Sequence, residues 1–200
     1  MATMHHHPVS IEDVVYEPEL VRSSAARKAL AALRIGFGLT FLWAFFDKLL
    51  ALGYHTGWST NPETGAESLD RFGDAAWING ASPTEGFMDF GVAETNWFQG
   101  FFNALGGTAF ADWLFMLGLL GIGAALTFGF GMRIAAATGA LLYLLMWVAS
   151  FPLANNPVLD NHLLGAISVV VLALTLSGDT WGVGKAWAKS HLVRQYPILR

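Results

Sequence analysis

The chain has 200 residues, of which 54% are hydrophobic and only 13% are charged, and this composition is too apolar for an ordinary soluble domain. Its net charge is −4, and its basic residues flank apolar runs instead of forming a stripe, which argues against nucleic acid as a partner. It contains no cysteine, which excludes disulfides, thiolate metal sites and thiol redox chemistry by this chain.

The first segment, residues 1–27, is polar and has no apolar core of the kind that a signal peptide needs. We therefore expect a cytoplasmic tail here and expect the first apolar run to remain as a membrane anchor. The run of His5, His6 and His7 in this tail is interpreted as solvated and not as a metal site.

Four apolar segments are long enough to cross a bilayer, for which about 20 residues are needed. They cover residues 30–52, 113–130, 134–153 and 158–176. The predicted fold is all-α and integral to the membrane: a four-transmembrane-helix bundle with a long outer loop that contains short or amphipathic helices.

This bundle defines the expected domain organisation, with a membrane domain over residues 28–178 and a basic cytoplasmic tail over residues 179–200. Small residues four apart predict close packing of helix backbones in lipid. The pairs are Gly121 with Ala125 in the second span, and Ala135 with Gly139 in the third.

The orientation is predicted from the basic residues, because basic loops stay in the cytoplasm. One side of the four spans carries only Arg71. The other side carries eight basic residues: Arg22, Arg27, Lys28, Arg133, Lys185, Lys189, Arg194 and Arg200. We therefore expect both termini in the cytoplasm and the protein in the plasma (inner) membrane of a prokaryote.

The outer loop, residues 53–112, is too long for a plain linker, and its sequence indicates order. Ser82 and Glu85 form a capping-box pattern that predicts a helix starting at Pro83. Residues 95–105 place aromatic side chains largely on one helical face, which suits a segment in the outer interface or over the bundle mouth.

Ionisable groups inside membrane spans are costly and are the first candidates for function. Asp47 and Lys48 lie near the outer end of the first span, and Asp160 and His162 begin the fourth. We expect these four residues, the candidate catalytic group, to lie at similar depth, close to Asp112.

Two interpretations of this polar cluster stay open. In the first, Lys48 and His162 hold a small anion or a quinone carbonyl, and His162 transfers a proton near neutral pH. In the second, the charges pair with one another and lock the first helix to the fourth. A metal centre is the weaker interpretation, because Asp160 and His162 have no third strong ligand nearby in sequence.

Arg34, Asn156 and Trp113 are candidates for contact with a cofactor, and each has a simpler explanation. The Arg34 side chain is long enough to reach the cytoplasmic head groups. Asn156 follows Asn155 in the turn between the third and fourth spans, where turn formation explains it. Trp113 fits an aromatic belt at head-group depth, together with Trp58, Trp77 and Trp97.

Several stretches resemble the DoxX/DoxD family of membrane proteins. These are residues 113–149, the following NNPVLDNHLLGAISVVVLAL, the string ASPTEGFMDFG, and residues 34–48. The resemblance covers nearly all of the chain beyond the N-terminal tail.

The resemblance implies a membrane subunit of thiosulfate:quinone oxidoreductase, with quinone as the cofactor and the lipid bilayer and another oxidoreductase subunit as partners. Other relatives are thought to be non-catalytic anchors or scaffolds for oxidoreductases, so both functions remain open. Whether the chain forms a homo-oligomer is also open.

Overall fold

The computed structural model describes residues 20–61, 63–154 and 156–200. Most of the predicted N-terminal tail, its histidine run and Asn155 lie outside these residues. The α-helices are α1 (Ser24–Leu50), α2 (Gln99–Leu105), α3 (Ala109–Phe128), α4 (Met132–Ala149), α5 (Asn161–Leu174), α6 (Gly184–Ala188) and α7 (His191–Gln195).

The remaining regular structure is short. In the outer loop, β1 (Trp58–Thr60) pairs antiparallel with β2 (Glu67–Leu69), and a 3₁₀ turn (Trp77–Asn79) and a π-helical turn (Gly86–Gly91) follow. Two further 3₁₀ turns, Ser177–Asp179 and Pro197–Leu199, lie in the C-terminal part.

Within the described residues, the three helices α1, α3 and α4 are long and apolar enough to cross a membrane. Helix α5 has 14 residues, shorter than the predicted span 158–176. At ~1.5 Å per residue it is about 21 Å long. It is shorter than predicted because Asp160 caps its N-terminus and Leu176 follows it with a left-handed φ of 50°.

The four longest helices form a bundle in which α1 packs mainly on α3, and α4 mainly on α5. The buried core between them is aliphatic and aromatic: Phe41, Met116, Leu126, Val169 and Leu172 are among its members. Helix α1 begins earlier than the predicted first span, because the Ser23 hydroxyl accepts a hydrogen bond from the N–H of Ala26 and caps the helix at that point.

Two glycines allow α1 and α3 to approach closely. A Cβ atom on Gly38 would lie 2.5 Å from the backbone nitrogen of Thr127, and one on Gly123 would lie 2.8 Å from that of Leu42. The prediction for Gly121 is wrong, because a Cβ atom there would meet nothing within 4 Å. The helix turns Gly123 toward its neighbour instead.

The predicted C-terminal tail is folded against the bundle. The Trp187 ring packs edge-on against Phe130 with 5.8 Å between centroids, and its indole N–H donates to the Leu199 carbonyl over 2.6 Å. The backbone N–H of Arg133, at the start of α4, donates to the Arg200 carbonyl. These contacts close the end of the bundle where α4 begins.

Candidate functional site

The predicted site residues near the end of α1 are held by the outer loop. Asp47 is 1% exposed, and its carboxylate accepts hydrogen bonds from the backbone N–H groups of Tyr54 at 3.1 Å and His55 at 3.0 Å. Lys48 is half-buried and interacts electrostatically with Asp47. In the described part of the chain, Lys48 makes no hydrogen bond or ion pair.

Asp112, at the start of α3, holds a second point of the loop. Its carboxylate accepts hydrogen bonds from the hydroxyls of Thr84 at 2.6 Å and Ser82 at 2.7 Å. The Ser82 hydroxyl in turn accepts one from the N–H of Glu85, as the capping pattern predicts. The turn that follows is π-helical (Gly86–Gly91), whereas the sequence predicted a helix starting at Pro83.

Asn96 holds a third point of the loop, and the sequence analysis missed it. Its side-chain amide donates to three backbone carbonyls at the end of α4, those of Val148 at 2.8 Å, Ala149 at 3.2 Å and Phe151 at 2.9 Å. A helix leaves its last four C=O groups without N–H partners from a following turn, and Asn96 supplies a donor at this end of α4. A single Asn in a loop gives no sequence signal of such a role.

Asp160 and His162 make a short side-chain contact at the start of α5. Asp160 Oδ2 lies 2.6 Å from His162 Nδ1, and Asp160 Oδ1 accepts the N–H of Leu163 at 2.9 Å. Burial raises the pKa of Asp160, but the hydrogen bonds from Leu163 and His162 outweigh it and bring the pKa below its ordinary value. Asp160 is therefore both a helix cap and the partner that orients the imidazole.

Tyr143 connects this pair to the rest of the bundle. Its ring centroid lies 6.5 Å from that of His162, and its other contacts are edge-on with Phe37 and Phe41 of α1. A Cβ atom on Gly165 would lie 2.9 Å from the Tyr143 ring, so a larger residue there would displace the ring. Tyr143 was not a predicted site residue, although its position in an apolar span gave a signal.

The structure gives the predicted cluster two separately bonded parts. Asp160 bonds to His162, and Asp47 bonds to the loop backbone. Across the described residues, no hydrogen bond or ion pair joins Asp47 or Lys48 to Asp160 or His162. That the four residues serve one site stays a prediction.

Asn156 and Trp113 have structural contacts of the kind that their simpler explanations describe. The Asn156 side-chain oxygen accepts the N–H groups of Val158 and Leu159, both at 2.9 Å, and so shapes the turn before α5. Trp113 is 58% exposed and packs edge-on against Trp77 with 4.9 Å between ring centroids. That Asn156 or Trp113 contacts a cofactor stays a prediction.

Arg34 is fully buried, with 0% of its surface exposed, so the interpretation that it extends to the head groups is wrong. Its guanidinium donates to the carbonyls of Leu126 and Thr127, at the end of α3. It also donates to the carbonyls of Thr180 and Trp181, beyond α5. Its two terminal nitrogens, Nη1 and Nη2, are therefore directed at backbone carbonyls. The sequence signal for this role was the charge itself inside an apolar span.

The outer surface of the loop is rich in exposed aromatic side chains. Trp97 is 97% exposed, and Phe98, Phe101 and Phe110 are more than half exposed. Phe102, predicted on the same face, is buried against Val92 and Ala149. One face of the aromatic segment 95–105 thus packs on the end of α4. Its other aromatic side chains are exposed.

A quinone head group needs a hydrogen-bond donor beside an apolar or aromatic surface. The His162 side chain, 22% exposed, supplies such a donor in its imidazolium form, and Tyr143 supplies the aromatic surface. The donor set therefore fits a quinone in its chemistry. Among the described residues, no three His, Asp or Glu side chains are grouped so as to hold a metal ion.

Comparisons of the chain with models of known protein families, with curated proteins and with solved structures gave no match.

Proposed function

We propose that this chain is a DoxX/DoxD-like membrane subunit of a quinone-linked oxidoreductase of the thiosulfate:quinone type. Its place would be the plasma membrane of a prokaryote, with both termini in the cytoplasm. The observation that carries the proposal is the short Asp160–His162 contact beside Tyr143, because it combines an oriented proton donor with an aromatic surface at the loop end of α5. The family resemblance supports the same assignment.

When bound, a quinone would accept two electrons and two protons to become a quinol. The Asp160 carboxylate accepts the N–H of His162 Nδ1, which leaves Nε2 for the ligand. In the imidazolium form, Nε2–H would donate one of the two protons to the quinone. Lys48 would supply positive charge near the same end of the bundle. Since the sequence contains no cysteine, we propose that a partner subunit delivers the electrons taken from thiosulfate.

A second candidate function, a non-catalytic anchor or scaffold for a partner oxidoreductase, is favoured by the outer loop. Asp47, Asp112 and Asn96 all use their polar atoms to hold this loop on the bundle. A loop fixed at three points, with exposed aromatic side chains, is suited to docking another protein. In this function the Asp160–His162 pair would only stabilise the start of α5.

The experiment that separates these functions combines labelling and activity. Wild-type protein in lipid nanodiscs is exposed to a photoreactive quinone, and thiosulfate-dependent reduction of a quinone analogue is measured in parallel. We expect labelling of the wild type, and about a 100-fold loss of activity in His162→Ala, as for loss of a general acid. His191→Ala, an exposed histidine on α7, is the matched control and should behave as the wild type.

Saturable labelling that His162→Ala abolishes would support the quinone site even if the isolated subunit lacks its electron-delivering partner. A folded wild type that takes up no quinone would contradict the first function and favour the anchor.

A further inference from the structure

A cavity of about 490 Å³ opens at the other end of the bundle, between the start of α1, the end of α5 and α6. This volume is in the range of roughly 300 to 1,000 Å³ that is typical of small-molecule sites. Its charged lining consists of Arg27, Lys28, Asp179, Lys185, Lys189 and Arg200. Five of the eight basic residues from which the orientation is predicted line this one cavity.

The charged side chains of the lining are mostly basic. Five are basic and one is a carboxylate, in a chain whose net charge is −4. The carboxylate, Asp179, lies 3.3 Å from the Arg200 guanidinium. Over the described ranges, Lys28, Lys185 and Lys189 form no ion pair.

The local structure concentrates this charge. Lys185 and Lys189 are four residues apart at α6 and its end, so their side chains share one face and repel each other. Lys28 faces the same space from the first turns of α1. Such repulsion is relieved when an anion binds between the ammonium groups, which is the physical reason to expect a ligand.

The cavity lining also contains aliphatic side chains. These are Leu20, Val21, Leu176 and Ala188, and Trp181, which follows the lining residue Thr180, is more than half exposed. Basic pockets at the ends of membrane helices bind the phosphate head groups of lipids. A lining that contains both cationic and aliphatic side chains matches a phosphate joined to a glycerol and its acyl chains.

We propose that this cavity binds a phosphate group, with Lys28, Lys185 and Lys189 as the main contacts. The ligand chemistry is a phosphate mono- or diester, presented by an anionic phospholipid or by a soluble phosphate compound. The aliphatic side chains of the lining favour the phospholipid over the soluble compound. This site lies at the opposite end from the outer loop and does not depend on the function proposed above.

The test uses the full chain in a neutral detergent and measures tryptophan fluorescence and unfolding temperature. The probes are dioctanoyl phosphatidylglycerol, inorganic phosphate and, as the neutral lipid, dioctanoyl phosphatidylcholine. We expect saturable binding of phosphatidylglycerol that weakens about tenfold or more in the double variant Lys185→Gln, Lys189→Gln. The control is the double variant Arg22→Gln, Arg194→Gln, which removes two positive charges outside the cavity lining. It should bind phosphatidylglycerol as the wild type does.

The probes distinguish the two sources of the phosphate group. Phosphatidylglycerol bound much more tightly than inorganic phosphate identifies a lipid head group, whereas equal affinities identify a soluble compound. The proposal is overturned if neither anion binds saturably, if phosphatidylcholine binds as tightly as phosphatidylglycerol, or if the two double variants lose affinity equally. Because the substituted lysines are exposed, both variants should fold, and the unfolding temperature without ligand checks this.

Discussion

At the scale of single residues, Arg34 shows how an apolar bundle accommodates a charge. A guanidinium without partners would be very costly in the interior, but this one is directed at the carbonyl end of α3, where the helix dipole is negative. The same side chain contacts the carbonyls of Thr180 and Trp181. Arg34 therefore joins α1, α3 and the segment after α5 at one end of the bundle.

We expect Arg34→Met to lower the free energy of unfolding by at least about 3 kcal/mol, because several buried carbonyls lose their donors. Arg34→Lys should lose less, since it keeps the charge but not the planar set of donors. Arg133→Met, an exposed arginine at the start of α4, should change stability by about 0.5 kcal/mol or less. Chemical unfolding in detergent micelles measures all three, and equal losses for Arg34 and Arg133 would contradict the role assigned to Arg34.

We expect the contribution of Asp160 to the free energy of unfolding to depend on pH. Its pKa is lowered by folding, so its stabilising effect is complete above its unfolded pKa of about 3.9 and is lost as the pH falls through the folded pKa. Asp160→Ala should therefore cost about 1 kcal/mol at neutral pH, through loss of the helix cap.

The difference between Asp160→Ala and wild type should shrink below about pH 4. Unfolding measured at a series of pH values tests this, with the exposed Asp74→Ala as the control. A difference that stays constant down to strongly acidic pH would show that the cap does not depend on the carboxylate charge.

At the scale of elements, the contact between α1 and α3 depends on which glycines face the neighbouring helix. Gly38 and Gly123 are at the contact, and Gly118 and Gly121 meet no neighbouring atom within 4 Å. Small residues let backbones approach in lipid, where the hydrophobic effect does not drive helices together. The sequence spacing alone does not reveal which of several glycines on α3 has this role.

Gly38→Ala and Gly123→Ala should each destabilise the protein by about 1 to 3 kcal/mol, because the added methyl group overlaps the backbone of the opposite helix. Gly118→Ala and Gly121→Ala should be neutral or gain up to about 1 kcal/mol from helix propensity. Thermal unfolding in one detergent compares the four variants. Similar losses at all four positions would argue against the α1–α3 contact described above.

At the scale of the whole molecule, the contacts of Arg34 place the start of α1, the end of α3 and the segment after α5 at one end. The outer loop is fixed to the other end by Asp47, Asp112 and Asn96. This arrangement agrees with the two sides that the basic residues predict. Which of the two ends faces the cytoplasm stays a prediction.

The absence of cysteine gives a direct test of that direction, because any introduced cysteine is the single reactive thiol. Thr64→Cys in the outer loop should react with a membrane-impermeant maleimide in intact cells. Gln195→Cys, in the C-terminal part, should react only after the membrane is permeabilised. The reverse pattern would invert the predicted orientation, and labelling of both in intact cells would contradict two termini on the cytoplasmic side.

The sequence by itself predicted a mostly helical chain and the approximate positions of three helices that are long and apolar enough to cross a membrane, because hydrophobic length is a local property. It also indicated the cap at Ser82. Its choice of Asp160 and His162 as site residues stays a prediction. Only the tertiary structure revealed the roles of Arg34, Tyr143 and Asn96, the glycines that face a neighbour, and the basic cavity at the end of α5. These features depend on which side chains meet across helices that are distant in sequence, and neither spacing nor composition records that.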